Sequence, residues 1–139
     1  MKGQVRPLFS NALKQSAFRA ANGEYGWTAK QAREVVQILR THDLAVLGGE
    51  LWWVPEGAST WVGSIPQREG ADAVYAWETK RRRNESWSHF VERCASDTLA
   101  AVKRWPPLED LSEGLSGRIL YNLTWVDEAE YGELGKRKA

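Results

Sequence analysis

Cysteine is almost missing from this sequence, and so is histidine. The single Cys94 cannot close an internal disulfide, and with only His42 and His89 beside it, far apart along the chain, no zinc-ligand spacing exists. No metal and no cofactor are therefore expected. Long apolar runs are also absent: no window approaches the roughly 18 consecutive apolar residues of a membrane span, and Met1 to Ser10 has basic residues but no apolar core of a secretory signal. The expected compartment is the cytoplasm, with no membrane partner. Charge of one sign is lacking too, since 19 basic and 18 acidic residues leave a net charge of +1. That balance gives no global attraction to phosphate, so a nucleic-acid contact would need a local patch.

What the sequence has in excess is tryptophan, with eight in 139 residues. A domain of this size does not easily bury eight indoles and satisfy every ring N–H, and exposed Trp is enriched at binding hot spots. The opposing reading, that any single Trp is simply core, stands beside it. The length suits a single α+β domain over residues 1–139, with 1–6 and 135–139 as disordered tails.

Pro7 suits the start of a first helix from about Leu8 to Ala21, stopped by Asn22-Gly23. Thr28 and Gln31 have capping-box spacing, which predicts a helix from Ala29 to about Thr41, with Ala32, Val35, Val36 and Leu39 on its inner face. Leu44 to Val54 joins two apolar runs at Gly48-Gly49. It is either a tight hairpin or one strand broken by a bulge. After the turn Pro55 to Ser59, strands are predicted over Thr60 to Ile65 and Ala73 to Thr79, the second alternating Val74, Ala76 and Glu78 against Tyr75, Trp77 and Thr79.

A long helix then runs from Ser86 to Trp105, capped by Asn84 or Ser86 and ended by Pro106-Pro107. Its stripe of Trp87, Phe90, Val91, Cys94, Ala95, Thr98, Leu99, Val102 and Trp105 faces inward. On that stripe Cys94 reads as a small core hydrophobe. One turn of helix is placed in Leu108 to Leu115. Arg118 to Val126 is the last strand, with Ile119, Tyr121, Leu123 and Trp125 on the face toward the long helix, and Asp127 to Tyr131 is an acidic final turn. The predicted fold is an antiparallel β-sheet of four to five strands packed with one long helix and two N-terminal helices.

Three pieces of possible chemistry remain. Lys80-Arg81-Arg82-Arg83-Asn84 is a compact basic run, either a contact for phosphate or an acidic protein or a solvated loop. Glu50 and Glu78 would need to converge in a cleft to divide acid and base roles in a small hydrolase. Thr28 to Val54, a short helix leading into two strand-like runs, has the outline of a winged-helix nucleic-acid-binding module, but Lys30, Arg33 and Arg40 are a thin basic footprint for it.

Taken together, a helix running into an aliphatic strand, then Leu47-Gly48-Gly49-Glu50-Leu51-Trp52, Trp61, Tyr75-Ala76-Trp77 and a helix opened by Ser86-Trp87, the stretch from about Gln31 to Val91 resembles one group of small bacterial immunity proteins. In that group a Gly-Gly-Asp/Glu-apolar-aromatic strand precedes a Trp-bearing strand. The resemblance implies a non-catalytic domain that binds a cognate toxin of a polymorphic or contact-dependent system and neutralises it. Trp and Arg are the expected anchors of such an interface. The candidates are Trp52 and Trp61 on the outward face of the meander, Arg81, Arg82 and Arg83 beside it, and Glu50 and Glu56 near the turns. An exposed Trp-rich sheet face would equally suit a homodimer.

Overall fold

The computed structural model describes residues 8–57, 76–104 and 118–138. In chain order these contain α1 (Asn11–Ser16), β1 (Phe18–Arg19), β2 (Tyr25–Gly26), α2 (Ala29–Thr41), β3 (Ala45–Val54), β4 (Ala76–Glu78), α3 (Trp87–Arg104), β5 (Arg118–Val126) and α4 (Glu128–Lys138). The predicted strand Thr60 to Ile65, the helical turn within Leu108 to Leu115 and the Pro106-Pro107 stop lie outside the described residues, as do Trp61 and Trp105.

The protein mixes helix with antiparallel sheet, as the patterning predicts. Its centre is β3, which pairs antiparallel with β4 on one side and β5 on the other. Gly48-Gly49 is not a hairpin. Within Leu44 to Val54, Ala45–Val54 is one strand with a register shift between Val46 and Gly48, the bulged alternative. The glycines serve space here: a Cβ on Gly49 would stand 2.7 Å from Cη2 of the Trp77 indole, which lies across the strand.

Beyond β5 the sheet differs from expectation. Among the described residues it has three strands, joined by a separate two-stranded hairpin, β1-β2, through a bridge between Trp27 and Tyr121. The first helix stops at Ser16 instead of Ala21, and Asn22-Gly23 turns the chain back on itself. Asn22 Oδ1 accepts from the Glu24 amide at 2.9 Å, and Gly23 takes a φ of +89°. Asn-Gly is as strong a hairpin signal as a helix stop, and the hairpin wins because Phe18 gains a buried site.

The helices form a layer on one face of the sheet. Thr28 and Gln31 complete their reciprocal capping box at the head of α2, at 3.1 and 3.0 Å. The predicted inner face of Ala32, Val35, Val36 and Leu39 is fully buried. Each such Val or Leu contributes about 1.5–3 kcal/mol of transfer free energy. Along α3, Trp87, Phe90, Val91, Cys94, Ala95, Thr98 and Val102 are buried, and Tyr121 of β5 donates its hydroxyl proton to the Val102 carbonyl at 3.1 Å.

A second, smaller core on the other sheet face corrects one assignment. Phe18, Ala20, Trp52, Val54 and Leu120 pack together there, so Trp52 is only 6% exposed. The hairpin covers the face on which Trp52 was expected to meet solvent. The C-terminal tail is corrected as well: α4 runs through Lys138, where disorder from residue 135 is expected. The acidic turn is its cap, with Asp127 Oδ1 accepting from the Glu130 amide and Glu130 Oε1 from the Asp127 amide, both at 2.8 Å. Among the described residues no helix is long and apolar enough to cross a membrane.

Candidate protein-binding surface

The basic run becomes a braced turn between β4 and α3. At its entry Thr79 is buried, its amide donating to the Leu47 carbonyl at 2.8 Å and its hydroxyl to Asp97 Oδ2 at 2.7 Å. At its exit Ser86 caps α3 by accepting from the His89 amide at 3.1 Å. Between them Asn84 takes the left-handed conformation, φ +63°, that a short polar side chain tolerates.

Glu85 holds the turn from inside. Its side chain is 3% exposed and receives Arg93 Nε on one oxygen and Arg93 Nη2 on the other, both at 2.8 Å, the Arg82 amide at 2.8 Å and His89 Nδ1 at 2.6 Å. The Arg93 guanidinium, helped by the Arg82 amide and His89, outweighs the desolvation that opposes it and keeps the Glu85 carboxyl far below the usual carboxylate range. Arg93 also donates to the Lys80 carbonyl at 2.5 Å, so one guanidinium ties both ends of the turn to α3.

Of the three arginines expected at an interface, Arg81 is turned inward. Its guanidinium meets Glu128 Oε2 at 3.1 Å, donates to the Glu85 carbonyl at 3.0 Å and lies 5.2 Å from the centre of the Trp87 ring, while its amide donates to the Tyr131 hydroxyl at 3.2 Å. Arg82 and Arg83 are exposed, as is Lys80. Among the described residues the side chains of these three make no ion pair.

The other predicted residues do not gather around this turn. Glu50 is exposed on the outer sheet face and accepts from Trp52 Nε1 at 3.0 Å, so the indole is buried with its N–H satisfied by a surface carboxylate. Glu56 is exposed just past the far end of β3, whose last residue, Val54, is about 23 Å from Leu47 at 3.3 Å per residue. Glu78 is also exposed on the outer face, diagonal to Glu50 because it pairs with Gly48 while Glu50 pairs with Ala76. The wing that a winged-helix reading places at Gly48-Gly49 is the central strand of the sheet.

Two clefts adjoin these elements. One, of about 330 Å³, lies against the basic turn and is lined by Leu47, Glu78, Thr79, Lys80, Arg81, Tyr131 and Leu134. Tyr131 is seated by its ring contacts with Trp87 and Phe90, at 5.9 and 5.3 Å. Neither Tyr131 nor Leu134 figures among the candidate site residues read from sequence, although Asp127-x-x-Glu130 followed by apolar residues at helical spacing is the signal that would have found them. The other, of about 370 Å³, follows the hairpin and β5 and includes Tyr25, Trp27, Asn122 and Trp125. Trp27 is wholly buried there, stacked on Tyr25 at 5.1 Å, and among the described residues its indole N–H has no acceptor.

Cys94 sits fully buried in the α3 core, where burial pushes its thiol up to about 12. Among the described residues no group of His, Cys, Asp and Glu could hold a metal ion. No protein-family model, no curated protein and no solved structure matches this chain.

Proposed function

We propose that this protein acts by stoichiometric binding, as an immunity protein that neutralises a cognate bacterial toxin in the cytoplasm. The observation that carries the reading is the bracing of the basic turn: a buried carboxylate, Glu85, and a half-buried guanidinium, Arg93, are committed to fixing the shape of an exposed loop that presents Arg82 and Arg83. A solvated connection does not need such a frame. An interface does, because a loop already held in its bound shape loses little conformational entropy on association. Exposed cations on a fixed turn also steer encounter with an oppositely charged face and raise the association rate. The resemblance over Gln31 to Val91 supplies the kind of partner.

Co-expression tests the proposal. The toxin domain encoded directly upstream is expressed in a sensitive host with and without this chain. Rescue of growth together with a co-purifying equimolar complex is the expected result. Failure of both rescue and co-purification would refute the proposal. Solution mass of the isolated protein separates toxin binding from self-association, since a homodimer occupying the same surface would appear without any toxin.

A further inference from the structure

We infer that the cleft beside the basic turn is an anchor pocket, which takes one apolar side chain from an acidic segment of a protein partner. The inference rests on the binding proposal above and names the chemistry its partner brings. Three half-buried apolar side chains, Leu47, Tyr131 and Leu134, come together in this cleft from two distant parts of the chain. Leu47 is the residue at the bulge of β3, and a bulge re-aims the side chain of the residue it carries. Apolar lining with a few polar groups at the edge is the composition of a pocket that binds.

The charges around the cleft select what enters it. Lys80 lines it together with Arg81, and Arg82 and Arg83 come next in the chain. Lys80, Arg82 and Arg83 are exposed and, among the described residues, without an ion-pair partner. Glu85, the acid nearest in sequence to Arg82 and Arg83, is already saturated by Arg93, His89 and the Arg82 amide, and among the lining residues a single carboxylate, Glu78, stands against the three cations. Carboxylates on either side of an entering apolar residue would complete the pattern.

A nucleic-acid strand fits less well. Its phosphates repeat along the backbone at intervals of a few ångströms and call for a longer run of cations than Lys80, Arg82 and Arg83 supply. Its phosphates would also leave Leu47, Tyr131 and Leu134 without an apolar occupant. A short acidic segment needs only the compact patch that is present.

The test uses the full-length chain labelled with nitrogen-15 and three probes: the peptide Glu-Glu-Leu-Glu-Glu, the same peptide with serine in the central position, and a single-stranded oligothymidylate. The leucine peptide is expected to shift the amides of Leu47, Lys80, Tyr131 and Leu134. It should bind at least about tenfold more tightly than the serine peptide, the factor expected for burying one leucine side chain. Arg82→Glu with Arg83→Glu, at exposed positions, should weaken the leucine peptide by about tenfold or more while leaving the spectrum otherwise folded.

Equal affinity for the two peptides would overturn the anchor pocket. Tighter binding of the oligothymidylate than of the leucine peptide would overturn the choice of a protein partner, and no shifts with any probe would overturn the inference entirely. These outcomes are separate from the neutralisation test. Growth rescue with silent peptides removes the pocket and leaves the function, whereas peptide binding without rescue does the reverse.

Discussion

Replacing Gly48 by alanine tests the packing at the centre of the sheet. A Cβ at this position would overlap the Trp77 carbonyl oxygen and stand 3.1 Å from Glu78 Cα and from the Trp77 carbonyl carbon. All three atoms are backbone of β4, so no flexible side-chain end can yield. Either β4 recedes or β3 bends. Receding by about 1 Å would stretch the Thr79-to-Leu47 hydrogen bond, now 2.8 Å, beyond bonding range. It would also pull on the Trp77 indole, which donates to Thr98 at 3.0 Å.

Overpacking of this kind costs about 1–3 kcal/mol, and each hydrogen bond lost adds about 1 kcal/mol. Against this, alanine lowers the entropy of the unfolded chain, a gain of at most about 1 kcal/mol. The net expectation is a loss of about 2–4 kcal/mol, a large share of the 5–15 kcal/mol typical of a domain. With an m-value of about 2 kcal/mol/M the urea midpoint should fall by about 1–2 M. Gly132→Ala is the control: nothing lies within 4 Å of its added Cβ on α4, and helix propensity predicts a gain of about 0.5–1 kcal/mol. A Gly48→Ala protein within about 0.5 kcal/mol of the parent would show that β3 and β4 are not packed in this way.

Three further perturbations probe the core and the turn. Because the folded Glu85 carboxyl is held below its ordinary value, its contribution to stability is fully present above that value and is lost as pH falls through the folded one. Glu85→Gln should therefore flatten the decline of the urea midpoint on the acid side of about pH 4.5, and an unchanged profile would contradict the Arg93 pairing. The Cys94 thiol, buried and raised to about 12, should react with a disulfide reagent only as fast as the protein opens, so prompt labelling under native conditions would contradict its burial. Thr98→Val keeps the side-chain volume but removes the acceptor of the Trp77 N–H, and should cost about 1–3 kcal/mol by thermal or urea unfolding, with the loss confined to stability.

How far the sequence could be read depended on whether a signal was local. The capping box at Thr28 and Gln31, the aliphatic stripe of α2, the α3 stripe from Trp87 to Val102 and the strand from Arg118 to Val126 all act within one element, and each is found where its pattern places it. The failures occur where two local signals compete or where a distant segment decides. Asn22-Gly23 serves a helix stop and a hairpin turn equally well, and only the second core chooses between them. Trp52 and Trp53 are neighbours on opposite sheet faces, so no periodicity within β3 tells which face the hairpin will cover. Among the candidate site residues, the compact basic run is visible as composition. That Arg81 is half-buried against its neighbours while Arg82 and Arg83 face outward depends on Glu128 and Tyr131, from the other end of the chain.

The pairing of β3 with β5 also sets the order in which the molecule can be made. Ala45 to Val54 is laid down early in synthesis, yet its longest ladder, from Ala45 with Val126 to Val54 with Arg118, waits until β4 and the whole of α3 have been added. Until then a strand rich in Leu, Val and Trp has one edge unpaired, and pairings between distant segments are slow because the intervening chain must close first. The interval between translation of β3 and arrival of β5 is the period in which this chain is most exposed to aggregation. Any change that delays β5, such as a slow stretch of codons before Arg118, would act on yield without touching the stability of the finished fold.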